Sequence, residues 1–315
     1  MVGPLSASVA APATRLVWQH SGTGDRSIWI MEGATWGGTY GLLPSVSTSW
    51  SIVASADFNA DGNSDLVWQN NATGDRSIWF MNNTTWGGSY ALLPNVSTSW
   101  SIAGAGDFNA DGKPDLVWQN TVTGDRSIWF MNGSTWEGSY ALLPSVSVDW
   151  RIAAVADFNG DNKPDLVWQN LTTGLRSIWL MNGSTWDGSY ALLPVVSTDW
   201  LIAGAGDFDG DNNPDLVWQN ITSGQRSIWM MSGTNWAGAY SLLPTIATDW
   251  NIAAVTPTPT GNILTGIKNA YTFLNTCPTN DPAYNTIRSD FECEAMAWLS
   301  LRRLPVPIRI LQLQQ

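Results

Sequence analysis

Through the middle of the chain the apolar residues fall in short runs, each closed by a cluster of turn-forming residues. Trp100–Phe108, Asp115–Gln119, Arg126–Met131 and Tyr140–Leu143 carry the apolar side chains, and Asn109–Pro114, Thr121–Asp125 and Asn132–Gly138 separate them. No 3.6-residue periodicity runs across these segments, so the pattern predicts four strands joined by hairpins. Ile128 and Phe130 fall on one face of their strand, Trp129 and Met131 on the other. A strand apolar on both faces is packed on both faces. The run Ile102-Ala-Gly-Ala-Gly106 has almost no side-chain volume, which suits a narrow place where several sheets converge.

The pattern recurs at a fixed interval. Leu-Val-Trp-Gln begins at Leu16, Leu66, Leu116, Leu166 and Leu216, a period of 50 residues. A four-stranded unit of this size fits a propeller blade. The reading is an all-β, five-bladed β-propeller over residues 15–255, with the small-residue strand innermost. The chain enters at the second strand of a unit (Arg15–Gln19) and leaves the repeats on a lone first strand, Trp250–Val255. Pairing the two completes a blade from both ends and removes a free edge. Residues 1–14 are then an N-terminal extension, 256–260 (Thr-Pro-Thr-Pro-Thr) a stiff linker, and 261–315 a tail. In that tail Ile263, Ile267, Tyr271 and Leu274 have helical spacing, and Asp281-Pro282 reads as the start of a second helix. The change of composition from Ala295 onward reads as a truncated or altered remnant of a longer domain.

Composition narrows the chemistry. Of 315 residues 21 are Trp, four in each repeat, while a single His and two Cys remove His-based zinc sites and repeated Ser-His-Asp triads. A net charge of −12 argues against nucleic acid and anionic membranes as partners. No run reaches the roughly 18 apolar residues of a membrane span. Met1–Thr14 has neither a basic n-region nor a long apolar h-region, so no complete signal peptide is visible. Cys277 and Cys293 could form one disulfide in an oxidising compartment.

Half of the acidic residues, 13 of 26, lie in one repeated loop. It reads Asp57, Asn59, Asp61, Asn63, Asp65 in the first copy and Asp107, Asn109, Asp111, Lys113, Asp115 in the second. The third copy has Asp157, Asn159, Asp161, Lys163, Asp165, and the fourth Asp207, Asp209, Asp211, Asn213, Asp215. Oxygen side chains at positions 1, 3, 5 and 9, a main-chain carbonyl at position 7, and Gly or Asn at position 6 suit a hard cation of high coordination number. Ca²⁺ is the expected ion. The fifth blade is interrupted by the termini at this hairpin, so four structural sites are expected, and four Ca²⁺ would bring −12 to −4.

The stretch Asp107–Trp118 resembles the calcium-binding blade motif of VCBS and FG-GAP repeat proteins, the family that includes the integrin alpha-chain propeller. The resemblance covers residues 15–255 and implies a β-propeller with Ca²⁺ in the hairpin between the first two strands of a blade. It also extends to five-bladed propeller lectins. Carried over by position, it implies Asp57, Asn59, Asp61, Asp65 and the Asn63 carbonyl as ligands, with their equivalents at 50-residue steps.

Near-identical blades do not supply the distinct acid and base of an asymmetric active site, so the chain reads as a non-enzyme. A lectin-like carbohydrate-binding module with repeated sites between blades is the leading expectation, with Trp36, Trp86, Trp136, Trp186 and Trp236 as stacking platforms. The alternative is an adhesive or structural scaffold that binds a cell-surface or extracellular protein. The same Trp residues also suit inter-blade core. Arg26, Arg76, Arg126, Arg176 and Arg226 suit either an anion site or bonds to carbonyls of a neighbouring blade. Absence of thiols from the repeats, together with loops matched to millimolar calcium, places the protein outside the cell or on its surface. Sequence pattern leaves the oligomeric state open.

Overall fold

A computed structural model describes residues 14–256. The expectations for residues 1–13 and 257–315, including the tail helices and the Cys277–Cys293 pair, lie outside these residues. Twenty strands form five separate four-stranded antiparallel sheets, and the described residues hold no helix. Blade 1 is built from β1 (Arg15–His20), β2 (Arg26–Glu32) and β3 (Thr35–Leu43), with β20 (Trp250–Thr256) as its first strand. Blade 2 follows as β4 (Trp50–Ala56), β5 (Asp65–Asn70), β6 (Arg76–Asn82) and β7 (Thr85–Leu93). Blade 3 is β8 (Trp100–Gly106), β9 (Asp115–Asn120), β10 (Arg126–Asn132) and β11 (Thr135–Leu143). Blade 4 is β12 (Trp150–Ala156), β13 (Asp165–Asn170), β14 (Arg176–Asn182) and β15 (Thr185–Leu192). Blade 5 is β16 (Trp200–Gly206), β17 (Asp215–Asn220), β18 (Arg226–Ser232) and β19 (Asn235–Leu243).

The first strands pack on one another in turn, β4 on β8, β12, β16 and β20, and β20 returns to β4, which closes the ring. Small residues are required at this axis. A Cβ on Gly104 would stand 2.4 Å from Cγ2 of Val155 in the next blade, so a Gly in one strand accommodates a Val in its neighbour.

The core lies between blades. Each interface sets Val, Ile and Leu of one sheet against Leu, Trp and Met of the next. Val67, Ile78 and Leu93 meet Leu116, Trp118 and Met131, and the other four interfaces repeat the set. The two-faced apolar pattern of the strands follows from this arrangement.

The outermost strand is longer than the sequence pattern suggests. β11 begins at Thr135, inside the stretch expected to be a turn, because the turn-forming residues occupy a bulge and not the end of the strand. Met131 pairs with Trp136 and Trp129 with Tyr140, so the segment 137–139 loops out opposite Phe130. Gly138 takes φ 87° there, and Trp136 Nε1 donates to the Ser139 carbonyl across the bulge at 3.0 Å.

The seam has its own chemistry. β1 pairs with β20 from Arg15↔Thr256 to His20↔Trp250. His20 stands where the other blades have Asn70, Asn120, Asn170 and Asn220. Asn70 Oδ1 accepts from the amides of Ala72 and Thr73; His20 Nδ1 accepts from those of Gly22 and Thr23, both at 3.0 Å. Its Nε2 donates to Asp249 Oδ2 at 3.0 Å, which ties the two chain ends together. His20→Asn is expected to keep the turn and unfold near the wild-type midpoint. His20→Ala is expected to lose about 1–2 kcal/mol, with faster proteolysis at the N-terminal strand. Urea unfolding of both variants checks this, and equal loss in the two would show that the turn acceptor is not what matters.

Candidate functional site

The acidic hairpins follow the innermost strands, so they gather at one end of the axis. In the first, Asp57 accepts the amides of Asp61 and Gly62, at 3.2 and 2.8 Å, and Asn59 Oδ1 accepts that of Asp61 at 3.0 Å. Position 6 is left-handed as expected, with φ 87° at Gly62, 83° at Gly112, 64° at Asn162 and 67° at Asn212. Position 4 is left-handed too, and two loops place an alanine there, Ala60 at φ 59° and Ala110 at φ 60°. An L-residue with a Cβ adopts this conformation at a cost of about 1–2 kcal/mol, and nothing in the residue type signals it.

Asp65, Asp115, Asp165 and Asp215 are fully buried. Asp115 Oδ2 accepts from Phe108 N at 3.0 Å and Oδ1 from Met131 N at 2.9 Å, so this carboxylate joins the loop to the third strand. Burial pushes all four carboxyls up to about 6, against the pull of these amides, and the first- and fifth-position carboxylates of the first three loops push the same way. In the fourth loop Asp209 and Asp207 play that part. Carboxylate oxygens of Asp207, Asp209 and Asp215 lie within 4.8 Å of one another. The first three loops have Asn59, Asn109 and Asn159 where this one has Asp209.

These residues fit a hard divalent cation. All side-chain donors are oxygens, and the buried carboxyl faces further negative charge. Among the described residues, no Lys or Arg pairs with the acids of the first and fourth loops. In the second and third, Lys113 and Lys163 stand 4.0 and 3.9 Å from Asp111 and Asp161 and bond to Asn132 and Asn182. A bound Ca²⁺ would supply charge neutralisation and loop order, held by positions 1, 3, 5 and 9 and the carbonyl of position 7.

On the flanks of the blades the Trp residues form ladders. Trp118, Trp129 and Trp136 follow one another with ring centroids 4.5 and 4.3 Å apart, the inner pair tilted and the outer pair stacked, and all five blades repeat the triplet. Trp118 is buried and Trp136 half-buried, so the ladder runs from core to surface. On its outer half lies a cavity of about 290 Å³ lined by Val96, Trp100, Trp118, Ser127, Trp129, Trp136, Tyr140 and Leu142. Tyr140 and Leu142 are 57% and 69% exposed, and the matching Tyr and Leu of the other blades are equally open. Their strands touch those of neighbouring blades little, because sheets splay apart away from the axis. Trp36, Trp86, Trp186 and Trp236 occupy the same place on their ladders, each stacked on the Trp inside it and donating its N–H to its own bulge.

The repeated arginines bond carbonyls of the next blade. Arg76, almost fully buried, reaches Gly74 O, Val96 O at 2.6 Å, Ser97 O at 3.5 Å and Trp100 O at 2.5 Å. Its guanidinium lies over the Trp118 ring, 5.2 Å from the centroid, and the same contact closes the circle with Arg226 over Trp18. Burial lowers the pKa of each of these arginines, that of Arg176 to about 10, which leaves them charged at neutral pH. Sequence reasoning missed the repeated Gln. Gln69 Oε1 accepts from Ile102 N at 3.1 Å across the interface, and Gln19, Gln119, Gln169 and Gln219 do likewise. A polar residue held beside Trp in every copy was the available signal.

Ring closure, sheet order and the repeated hairpin define a five-bladed β-propeller. The model of the FG-GAP-like repeat matches residues 57–118 and 107–168, a stretch that runs from the acidic loop of blade 2 into blade 4. No curated protein matches the sequence. Among solved structures, the chain is similar to a nidogen/laminin complex at 14% identity, with 77% of this chain and 81% of that chain covered and a TM-score of 0.45. Regucalcin from Agrobacterium tumefaciens, a calcium-binding protein, matches at 9% identity over 76% and 77% of the two chains, TM-score 0.37. A putative 6-phosphogluconolactonase from Bacteroides uniformis matches at 13% over 75% and 68%, TM-score 0.38.

Proposed function

We propose that this protein is a calcium-stabilised, multivalent binding module of the extracellular space that takes carbohydrate in five equivalent grooves between its blades. The observation that carries the reading is the half-exposed indole of Trp136 beside Tyr140 at the open end of a Trp ladder, repeated in every blade. Aromatic faces accept the C–H surface of a sugar ring, and the cavity is at the small end of ligand-pocket sizes, suited to one residue of a glycan. Five weak sites on one rigid ring gain by avidity on a glycan-coated surface. The role is binding without catalysis: the buried carboxylate of an acidic loop is held by main-chain amides, and the groove lined by Trp136 and Tyr140 carries no acid.

A protein partner is the second reading, favoured by Leu42, Leu92, Leu142, Leu192 and Leu242, which are 63–71% exposed and offer a sugar nothing to bond. A glycan array probed with folded, calcium-loaded protein separates the two. Saturable binding to a related set of sugars is expected, with Trp136→Ala removing about one site in five and substitution of all five outer Trp residues removing binding. A blank array from folded protein would reject the carbohydrate reading and leave the protein-binding scaffold.

A further inference from the structure

We infer that a small oxyanion, a phosphate, sulfate or carboxylate group, binds between blades 4 and 5 at the paired guanidinium groups of Arg151 and Arg176. Position 151 is the second residue of an innermost strand, at the end of the axis away from the acidic loops. The other blades place Ser51, Ser101, Leu201 and Asn251 there. Each interface has its Arg and Gln clamp, and among the described residues this one adds a second arginine at the same end of the axis as the clamp.

The geometry brings the two cations together. Arg176 donates to Trp200 O and, at 3.3 Å, to Ser197 O; Arg151 Nη2 donates to Ile202 O at 3.4 Å. Gln169, opposite Arg151 in the sheet, accepts from Ile202 N at 2.8 Å. Carbonyls 200 and 202 lie on one side of β16, about 7 Å apart along the strand, so both guanidinium groups bond to the same edge of that strand. The charge of Arg151 adds to burial in lowering the pKa of Arg176.

The donors are unequally used. Arg176 reaches four carbonyls, of Gly174, Val196, Ser197 and Trp200. Arg151 has one long bond, and the Nε of both arginines is buried without a partner. Among the described residues neither arginine has a carboxylate within salt-bridge distance, the pairs there being His20–Asp249, Lys113–Asp111 and Lys163–Asp161. The acids nearest in sequence, Asp149 and Asp199, are exposed and hold the hydroxyls of Ser147 and Thr172, and of Ser197 and Thr222. Two adjacent desolvated cations without a counter-charge are costly. An oxyanion meets the planar fork of an arginine with two parallel bonds and removes that cost. Arg151 as a whole is half-buried, with its Nε on the buried side.

The test is thermal unfolding of the whole chain in phosphate, sulfate or acetate against chloride at equal ionic strength, with wild type and Arg151→Ser, the residue blades 2 and 3 carry. Wild type is expected to gain about 2 °C or more at tens of millimolar anion, and Arg151→Ser to lose that gain while keeping the wild-type near-ultraviolet spectrum. Should that variant fail to fold, Arg151→Asn, the blade 1 residue, replaces it. A gain with acetate alone assigns the site to a carboxylate ligand, and a gain with phosphate or sulfate to a free or esterified oxyanion. No gain in wild type, or the same gain in the variant, overturns the inference.

Discussion

Arg76→Ala is expected to be among the most damaging single changes in the propeller, costing about 3–5 kcal/mol. The guanidinium is inside an interface, and its removal strands the carbonyls of Val96, Ser97 and Trp100, which belong to the chain entering blade 3. Each hydrogen bond from a charged donor contributes about 1.5–3 kcal/mol. The face of Trp118 loses its cation as well, and a void opens beside a ring that is 1% exposed. For a domain of this size the thermal midpoint falls by about 6–20 °C. Arg76→Lys restores the charge but not the fork, and one ammonium cannot span the carbonyls of Val96 and Trp100 together, so most of the loss remains. Asp75→Asn, exposed next door, is expected to unfold near wild type. Urea unfolding followed by Trp fluorescence measures all three. An Arg76→Ala protein within about 1 kcal/mol of wild type would mean that the repeated arginine does not hold the blades together.

Calcium returned to chelated protein at neutral pH is expected to raise the thermal midpoint by more than about 10 °C, since a site at a hundredfold its dissociation constant adds about 2.7 kcal/mol, and four sites add together. The effect depends on pH with a definite sign. Asp65, Asp115, Asp165 and Asp215 have carboxyls raised to about 6 from an ordinary value of 3.8, first by burial. Between those values the folded chain holds more protons than the unfolded one, so stability of the chelated protein falls as pH rises through the window and levels above it. A cation offsets that cost, and protons compete with it. The calcium gain is therefore expected to be large at about pH 7 and small at about pH 5. Asp115→Ala should lose one site and lower the midpoint even in chelator, because Phe108 N and Met131 N are left buried without an acceptor. A midpoint indifferent to calcium at both pH values would reduce the four loops to ordinary Asx turns.

Most of the architecture was legible in the chain because a repeat makes every local signal count five times. Strand number, the innermost place of the Ala and Gly run, closure of a blade by Trp250–Val255, which the structure extends by Thr256, and the left-handed sixth position at Asn162 all follow from residue types whose local conformations are restricted. The outer strand was misjudged in length because Gly138 and its neighbours signal a reversal, and a mid-strand bulge has the same local chemistry as a turn. The same limit applies to the site. Oxygen donors at odd spacing mark the acidic loops, but that Asp65 is spent on two amides, one of them 16 residues away at Met81, depends on the third strand arriving beside it.

Sequence by itself determined the elements, their number and the kind of chemistry each loop can support, since these rest on periodicity and on the conformational limits of Gly, Asn and Pro. Tertiary structure alone decided which side chains are spent and which are free. Whether Arg76 is a clamp, Trp136 a platform, or Arg151 a cation without a counter-charge depends on what the adjacent blade presents at that height. Contacts between blades consecutive in the chain join residues about 20 to 50 positions apart, and those that close the ring join residues about 200 apart; no local pattern encodes the distance between two sheets.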